Sequence, residues 1–264
     1  MDRLDFAISL AQSAGDLGLK YFRSIADLKI TSKGHQDAVS DADLAVERHV
    51  RAAIGEAFPD DGLLGEEYGV ETGKSGYTWV IDPIDGTMNF INSIPVWAVV
   101  IACVREPETV IGVIHDPNAN ETFSAQHGKG AFLNGRPISA SAETDLTKGT
   151  VAVGISNRSN PACATRIVDG LMQRGSLFHR NASGAIGLAY VAAGRFLGYC
   201  EPHMNPWDCV AGLLLISEAG GRTYDSDLST MLDRGDQVIA AGAGVYDEVL
   251  DLATHAFTLD ANRT

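Results

Sequence analysis

The 264-residue sequence lacks any uninterrupted apolar run of membrane-spanning length, so no transmembrane helix is predicted. It also lacks a basic N-terminal segment followed by an apolar core. Met1 to Asp5 instead opens an amphipathic pattern, and we expect no signal peptide. Cysteine is scarce and scattered, and Cys103, Cys163, Cys200 and Cys209 form no C-x-x-C pair. We therefore expect buried, reduced thiols in a cytoplasmic protein.

Positive charge is scarce as well: 20 Lys and Arg stand against 34 Asp and Glu, which gives a formal net charge of -14. This balance argues against a general nucleic-acid surface or an anionic-membrane surface, so neither partner is expected. An anionic substrate stays compatible with it, because bound cations reverse the local charge. Hydrophobic residues make up 45% of the chain, and no repeat or obvious linker interrupts it. The length therefore suits one large domain, or two smaller ones that share a cleft.

One stretch, from Trp79 to Phe90, carries the densest chemical pattern: W-V-I-D-P-I-D-G-T-M-N-F. Its apolar beginning predicts a buried strand, and Pro83 predicts that the strand stops in a turn at Asp82. Asp82 and Asp85 would then lie close together on a loop. Thr87 is the expected cap of a short helix over residues 88–91.

Two neighbouring carboxylates repel each other unless a cation lies between them, and oxygen ligands without His or Cys favour Mg²⁺. The backbone N–H groups of Gly86 and Thr87 lie beside this pair, where they could hold a phosphate group. The stretch is therefore compatible with metal-assisted phosphoryl chemistry. A proline-containing turn with a capping aspartate explains the same residues, and the stretch alone does not decide between the two.

Four other acidic residues are candidates for the same site, and each has a plainer explanation. Asp43 and Asp208 fall in the first turn of predicted helices, where the helix dipole alone favours an acid. Glu66 follows the short apolar run from Gly62 to Gly65, and Glu66-Glu67 is also typical of a solvated acidic turn. Glu201 is predicted to end a strand, facing either the same cleft or solvent.

The pattern of the elements changes along the chain. Helical spacing predicts helices over residues 2–23 and 41–58, the second capped by Ser40 or Asp41, with a short strand at 28–30 and a loop at 31–38 between them. Val- and Ile-rich runs at 96–105 and 109–116, with two further strands at 122–125 and 130–133 around Gly128, predict a largely antiparallel sheet. From residue 149 strands alternate with helices: strands at 150–155, 176–179, 196–200 and 238–241, and helices at 161–174, 184–193, 207–219 and 245–257. We therefore expect an α+β half over residues 1–147 and an α/β half over 148–264, with the cleft between them.

Three motifs in this order resemble the inositol monophosphatase family of Mg²⁺-dependent, lithium-sensitive phosphatases. They are Gly65-Glu66-Glu67, the stretch from Trp79 to Phe90, and Trp207-Asp208 with Ala211-Gly212 and Glu218-Ala219-Gly220-Gly221. The resemblance covers nearly the whole chain. It implies an α+β fold, a layered α-β-α-β-α sandwich of the inositol monophosphatase and fructose-1,6-bisphosphatase type, commonly dimeric.

The resemblance also implies roles for individual residues. Two or three Mg²⁺ ions would be held by Glu66, Asp82, the Ile84 carbonyl, Asp85 and Asp208. Thr87 and Asp43 would orient and activate the attacking water, with Glu66 assisting through a weaker third ion, and the Gly86 and Thr87 amides would cradle the phosphate. Asp85, Asp208, Glu201 and the backbone around Ser183, Gly184 and Ala185 would contact the alcohol part of the substrate.

The substrate implied is a small polyol phosphate such as inositol 1-phosphate, and three departures bear on it. Met88 stands where the family often has Thr, Gly187 stands where relatives commonly have Asp or Asn, and the run from Cys200 to Asn205 is unusual. In that run His203 could contact substrate or lie in an exposed loop. Alternatives with the same mechanism are histidinol phosphate, fructose 1,6-bisphosphate and nucleotide 3′-phosphates. A different class of function is a non-catalytic regulatory partner of transcription or RNA machinery, which acts through a protein contact.

Overall fold

A computed structural model describes residues 2–34 and 37–261. The described chain forms helices α1 (Arg3–Phe22), α2 (Asp41–Ala57), α3 (Thr87–Ile91), α4 (Pro161–Gln173), α5 (Gly184–Ala192), α6 (Pro206–Glu218), α7 (Leu228–Arg234) and α8 (Tyr246–Ala261). Short 3₁₀ turns lie at Ile25–Asp27 and Leu146–Lys148. No helix in the described residues combines the length and the apolar character that crossing a bilayer requires.

The larger sheet has the strand order β10-β9-β8-β7-β6-β5-β3-β4. Its strands are β3 (Gly62–Gly65), β4 (Gly69–Glu71), β5 (Thr78–Asp85), β6 (Ala98–Arg105), β7 (Glu108–Asp116), β8 (Glu121–Gln126), β9 (Ala131–Leu133) and β10 (Arg136–Ile138). Every neighbouring pair is antiparallel except β3 and β5. The expected antiparallel sheet is confirmed.

The smaller sheet has the order β12-β11-β13-β15-β14. It is built from β11 (Thr150–Val153), β12 (Leu177–His179), β13 (Gly198–Met204), β14 (Arg222–Thr223) and β15 (Asp236–Ala241). β11 runs parallel to both of its neighbours, while β15 pairs antiparallel with β13 and β14. The parallel pairs follow from the helices that connect them, since a parallel connection needs a crossover.

Five layers result from the alternation of side chains across the two sheets. Trp79 and Ile81 of β5 pack with α1 and α2, whereas Val80 points the other way, toward α5 and α6. The smaller sheet covers the second side of α5 and α6, and α4 and α8 cover its outer face. The fold is therefore an α-β-α-β-α sandwich, as expected. Both faces of each sheet are buried, which explains the continuous apolar runs in their central strands.

The prediction of a loop at Thr31–Ala38 was wrong. The chain forms an antiparallel hairpin of β1 (Ile30–Gly34) and β2 (Asp37–Ser40), and Ile30 is paired with Ser40. Residues 35 and 36 of that loop lie outside the described residues. Backbone N–H and C=O groups make the ladder, so a polar segment can pair without an apolar pattern. The short segments β10, β14 and α7 were not predicted either, because each is too short to show a regular spacing of apolar residues.

Candidate active site

The strand β5 does not stop at Asp82 as expected. It continues to Asp85, but its pairing with β6 slips between these two residues. Pro83 cannot donate a ladder hydrogen bond, which fits an irregularity at this point. The Ile84 N–H turns back to bind Asp82 Oδ1 at 2.9 Å. The irregularity places both carboxylates at one end of the buried strand.

A third carboxylate joins them from the other half of the chain. Pro206 begins α6, and Asp208 in its first turn accepts hydrogen bonds from the Asn205 N–H at 3.2 Å and the Asn205 side-chain amide at 3.1 Å. Carboxylate oxygens of Asp82, Asp85 and Asp208 all lie within 4.8 Å of one another. Asp208 thus lies in the first turn of α6, where the helix dipole favours an acid, and it also converges with Asp82 and Asp85.

Burial makes this acidic triad, Asp82, Asp85 and Asp208, costly in its charged form. It raises the pKa of Asp85 to about 7, and the charge of Asp208 adds to the effect. Burial also raises the pKa of Asp82 well above its usual value, with the charges of Glu66 and Asp208 contributing next. The pKa of Asp208 is raised by burial too, although its hydrogen bonds with Asp82 and Asn205 oppose the rise. Such a buried triad is stable only when protons or a cation compensate its negative charge.

The donor set fits a magnesium ion. It contains only carboxylate oxygens, with a backbone carbonyl at Ile84 nearby, and Mg²⁺ prefers oxygen ligands. None of the ion pairs formed by the described residues reaches Asp82, Asp85 or Asp208. Three acids this close and this buried therefore lack an ion-pair partner among the described residues, apart from a weaker electrostatic effect of His203 on Asp208, and a divalent ion would balance their charge.

Glu66 approaches the triad from the end of β3. It follows Gly65 directly, and its N–H binds the Ile81 carbonyl at 3.2 Å. It lies outside the cluster of oxygens within 4.8 Å, but its charge contributes to the raised pKa of Asp82. The structure therefore brings the predicted Glu66 to the edge of the triad rather than into its centre.

Thr87 and Asp43 meet beside the triad. The prediction that Thr87 caps α3 was wrong, because Gly86 occupies the cap position with a φ of 97°, and Thr87 is the first helical residue. The Thr87 hydroxyl is instead free to lie 3.3 Å from Asp43 Oδ1 and 3.1 Å from the Ile84 carbonyl oxygen. This contact joins α2 to the first residue of α3.

Asp43 is fully buried and held firmly in the first turn of α2. Its Oδ2 accepts hydrogen bonds from the Ser40 N–H at 2.9 Å and the Ser40 hydroxyl at 2.6 Å. Ser40 is confirmed as the cap of α2, because its hydroxyl oxygen accepts the Ala42 N–H at 3.2 Å. Burial raises the pKa of Asp43, and the Ser40 hydrogen bonds oppose the rise. Asp43 therefore presents its other oxygen, Oδ1, to Thr87 in a fixed orientation.

The segment before α5 completes the wall around Asp85. The Ser183 hydroxyl and the Ala185 N–H, the latter at 3.1 Å, both donate to Asp85 Oδ2. The Asn89 side-chain amide donates to the Asn181 carbonyl at 2.7 Å, which fixes α3 against the same segment. A Cβ on Gly86 would lie 3.0 Å from the Val96 carbonyl oxygen, so a glycine is needed there for space as well as for its positive φ.

A cavity of about 160 Å³ opens beside the triad, and Arg180, Glu201 and Tyr199 contribute to its lining. Glu201 does not end its strand as expected, because β13 continues to Met204 with a slip in register after Glu201. Burial raises the pKa of Glu201 to about 8, and a hydrogen bond from the Tyr199 phenol opposes the rise. His203 is not in an exposed loop: it lies on β13, partly buried, with Nε2 3.0 Å from the Arg234 carbonyl oxygen.

Several residues that shape this site were missed at the level of sequence. Glu47 is fully buried and binds the Glu67 N–H at 2.8 Å and the Arg51 guanidinium at 2.7 Å, so it anchors the loop that carries Glu66. Its position four residues after Asp43, on the same helix face, was an available signal. Asn89, Ser183 as a side-chain donor, and Asn205 offered no such signal. All four cysteines are buried, as expected, and form no disulfide within the described residues.

Comparison with known proteins supports the same interpretation of the site. The family model of the inositol monophosphatase family matches residues 2–256. Nus factor SuhB of Xylella fastidiosa is 37% identical over 246 residues, covering 91% of this chain and 89% of its own. Inositol-1-monophosphatase of Mesorhizobium japonicum is 36% identical over 251 residues, covering 94% of each chain.

Two further matches extend the comparison. Histidinol-phosphatase of Chlorobaculum parvum is 36% identical over 248 residues, covering 92% of this chain and 90% of its own. A solved structure of an IMPase from Thermotoga maritima superposes with a TM-score of 0.87 at 30% identity, covering 98% of this chain and 99% of that one. The layered sandwich is thus shared over essentially the full length of both chains.

Proposed function

The chain belongs to the inositol monophosphatase family, and on this basis we propose that it is a Mg²⁺-dependent phosphomonoesterase that hydrolyses a small polyol phosphate such as inositol 1-phosphate. The observation that carries the proposal is the buried triad of Asp82, Asp85 and Asp208, whose oxygens lie within 4.8 Å of one another. Three carboxylates gathered this closely, with no ion pair to them among the described residues, favour a site that binds a metal ion.

The metal ligands are assigned as the resemblance implies. Glu66, Asp82 and the Ile84 carbonyl would hold one Mg²⁺, and Asp82, Asp85 and Asp208 a second, with Glu66 contributing to a weaker third. When bound, the ions lower the pKa of a water molecule and stabilise the charge on the leaving alkoxide. The Ile84 carbonyl accepts the Thr87 hydroxyl at 3.1 Å and has a second lone pair for this role.

Thr87 and Asp43 orient the attacking water. The Thr87 hydroxyl lies within reach of Asp43 Oδ1 and projects from the first residue of α3, which follows the strand that carries Asp82 and Asp85. Asp43 is held by Ser40 on its other oxygen, so it can accept a proton through Thr87 without changing its position. The pKa of Asp43, raised by burial, makes the carboxylate a stronger base than an exposed aspartate.

The remaining contacts position the ester. The backbone N–H groups of Gly86 and Thr87 cradle the phosphate, where the positive φ of Gly86 turns the chain. The segment of Ser183, Gly184 and Ala185 holds Asp85 on the side of the cavity, and Glu201 faces the alcohol part of the substrate. A cavity of about 160 Å³ suits a leaving group no larger than a small polyol.

Phosphate release from a panel of esters, with Mg²⁺ titrated, tests the proposal. The panel contains inositol 1-phosphate, histidinol phosphate, fructose 1,6-bisphosphate and a nucleotide 3′-phosphate. We expect Asp82→Asn to abolish release and Asp145→Asn, a matched change at an exposed cap, to preserve it. Release that persists in Asp82→Asn or after complete metal removal contradicts the mechanism. A panel in which inositol 1-phosphate is the poorest substrate contradicts the substrate assignment.

A second candidate is supported by the relative named Nus factor SuhB, which is 37% identical to this chain. In this alternative the protein acts as a regulatory partner of transcription machinery through a protein surface, in keeping with its net charge of -14. Pull-down of partner proteins with the wild-type protein and with Asp82→Asn distinguishes this regulatory role from the phosphatase function. An interaction that ignores the metal site, in a protein without turnover, favours the regulatory role. A homodimer, a cytoplasmic location and lithium inhibition rest on the sequence resemblance and stay predictions.

A further inference from the structure

Tyr199 and Glu201 form a fixed pair in the wall of the cavity. The two residues are separated by one position on β13, so both side chains point to the same face of the sheet. The Tyr199 phenol donates a hydrogen bond to Glu201 Oε2. Tyr199 is 3% exposed and its ring packs into the core around α5 and α6, so the phenol cannot follow a moving partner. The tyrosine therefore holds the glutamate, rather than the reverse.

Three glycines make the space that this pair occupies. A Cβ on Gly187 would lie 2.7 Å from Cε2 of the Tyr199 ring, and a Cβ on Gly154 would lie 2.5 Å from the Tyr199 hydroxyl. A Cβ on Gly184 would be 3.4 Å from the same hydroxyl. The Tyr199 ring thus fills the volume that a side chain at position 187 would need, and the backbone of these glycines lies close to the ring and its hydroxyl. In this part of the cavity wall the Tyr199 phenol, rather than residue 187, supplies the polar group.

The hydrogen bond also decides which oxygen of Glu201 faces substrate. Oε2 is engaged by Tyr199, and within the described residues no hydrogen bond is recorded for Oε1. The guanidinium of Arg180 on the cavity rim lies near enough to lower the pKa of Glu201, so it is the competing partner for the carboxylate. Loss of the phenol hydroxyl would leave Glu201 free to turn toward Arg180.

We infer that Tyr199 is a positioning residue for substrate selection: it orients Glu201 so that Oε1 accepts a hydroxyl hydrogen from the alcohol part of the phosphate ester. This inference rests on the proposed phosphatase function and adds a specificity determinant to it. Esters whose alcohol part carries free hydroxyl groups are favoured over esters that carry none. The hydroxyl-bearing ester gains a hydrogen bond to Glu201 Oε1, which the plain ester lacks.

The test compares kcat/KM for inositol 1-phosphate with kcat/KM for phenyl phosphate, which has no free hydroxyl on its alcohol part. We expect Tyr199→Phe to lower the ratio of the two values by roughly tenfold, mainly through KM for the inositol ester. Glu201→Gln should lower the same ratio, and the double variant should fall no further than Glu201→Gln alone, because both changes remove one interaction. Tyr190→Phe, which removes a phenol that binds Arg195 outside the cavity lining, is the matched control and should leave the ratio unchanged.

Gly187→Ala provides a second, independent variant in which the hydroxyl is kept but the ring is displaced. Gly187→Ala should also lower the ratio of kcat/KM for inositol 1-phosphate to kcat/KM for phenyl phosphate. The test therefore does not depend on the stability of Tyr199→Phe. Equal losses on both esters in these variants, or additive losses in the double variant, overturn the inference while the phosphatase function stands. Absence of turnover of every ester by the wild-type protein overturns the proposed function and this inference together.

Discussion

The side-chain amide of Asn89 donates a 2.7 Å hydrogen bond to the carbonyl oxygen of Asn181, 92 residues away along the chain. The same amide group donates to the Val96 carbonyl at 2.8 Å, so both of its hydrogens are used. Asn89 thereby ties α3, which follows the strand of Asp82 and Asp85, to the segment that carries Ser183. The two halves of the candidate site are joined by a buried polar group rather than by apolar packing alone.

Replacement of this amide should weaken both the fold and the site. Asn89→Ala leaves two carbonyl groups without their donor, and we expect a loss of about 2 kcal/mol in the free energy of unfolding, with weaker Mg²⁺ binding. Urea denaturation and Mg²⁺ titration measure the two effects. The control is Asn92→Ala, which removes an amide that donates to the Met88 carbonyl in an exposed position and should matter little. Equal effects of the two variants would contradict a role for Asn89 in joining the halves.

Removal of the Thr87 hydroxyl should affect turnover more than binding. Thr87→Val keeps the shape of the side chain but loses the contact with Asp43, and we expect kcat to fall roughly a hundredfold or more while KM changes little. Thr87→Ser, which retains a hydroxyl, is the comparison variant and should keep most of the rate. The account of the attacking water fails if the two variants have similar kcat values.

Metal binding should become tighter as the pH rises. The pKa of Asp85 is raised to about 7 by burial and by the charge of Asp208, so protons stabilise the metal-free folded protein below that pH and compete with the ion. Metal-free stability from this group is therefore lost as the pH rises from about 4 toward about 7. The rise in Tm caused by Mg²⁺ should grow between about pH 5 and about pH 8. A Tm shift that stays constant over this range would show that these carboxylates do not bind the ion.

Glu47 should prove essential to the loop of Glu66 although it touches no substrate. Glu47→Ala removes the main ion-pair partner of the mostly buried Arg51 and the carboxylate that accepts the Glu67 N–H. We therefore expect a loss of about 3 kcal/mol in the free energy of unfolding. The Mg²⁺ concentration needed for activity should rise as well. Glu71→Ala removes the exposed second partner of Arg51, 3.8 Å away, and serves as the control with no measurable change expected. Unchanged metal dependence in a folded Glu47→Ala protein would contradict this role.

The sequence was sufficient to predict those helices and strands in which apolar residues recur regularly over a long stretch. Helices α1 and α2 and the hairpin of β6 and β7 were predicted within a few residues, because each buries one face or both. The slips in register after Asp82 and Glu201 were not predicted, since they depend on the pairing of neighbouring strands.

The acids of the site were also predictable, whereas their supports were not. Asp82 and Asp85 were evident from their spacing around Pro83, and Asp208 came from the resemblance. The bonds of Glu47 with Glu67 and of Asn89 with Asn181 join residues 20 and 92 positions apart. Such contacts carry no local signal, and only the packing of the layers creates them.

The central claim is that Asp82, Asp85 and Asp208 bind the metal ions at which a phosphate ester is split. Crystals grown with Mn²⁺ in place of Mg²⁺, and with phosphate, test it most directly through the anomalous scattering of manganese. The account predicts an anomalous peak bound by oxygens of all three carboxylates, with phosphate beside the Gly86 and Thr87 amides. Carboxylates that remain hydrogen-bonded to one another at saturating Mn²⁺, with no peak among them, would contradict it.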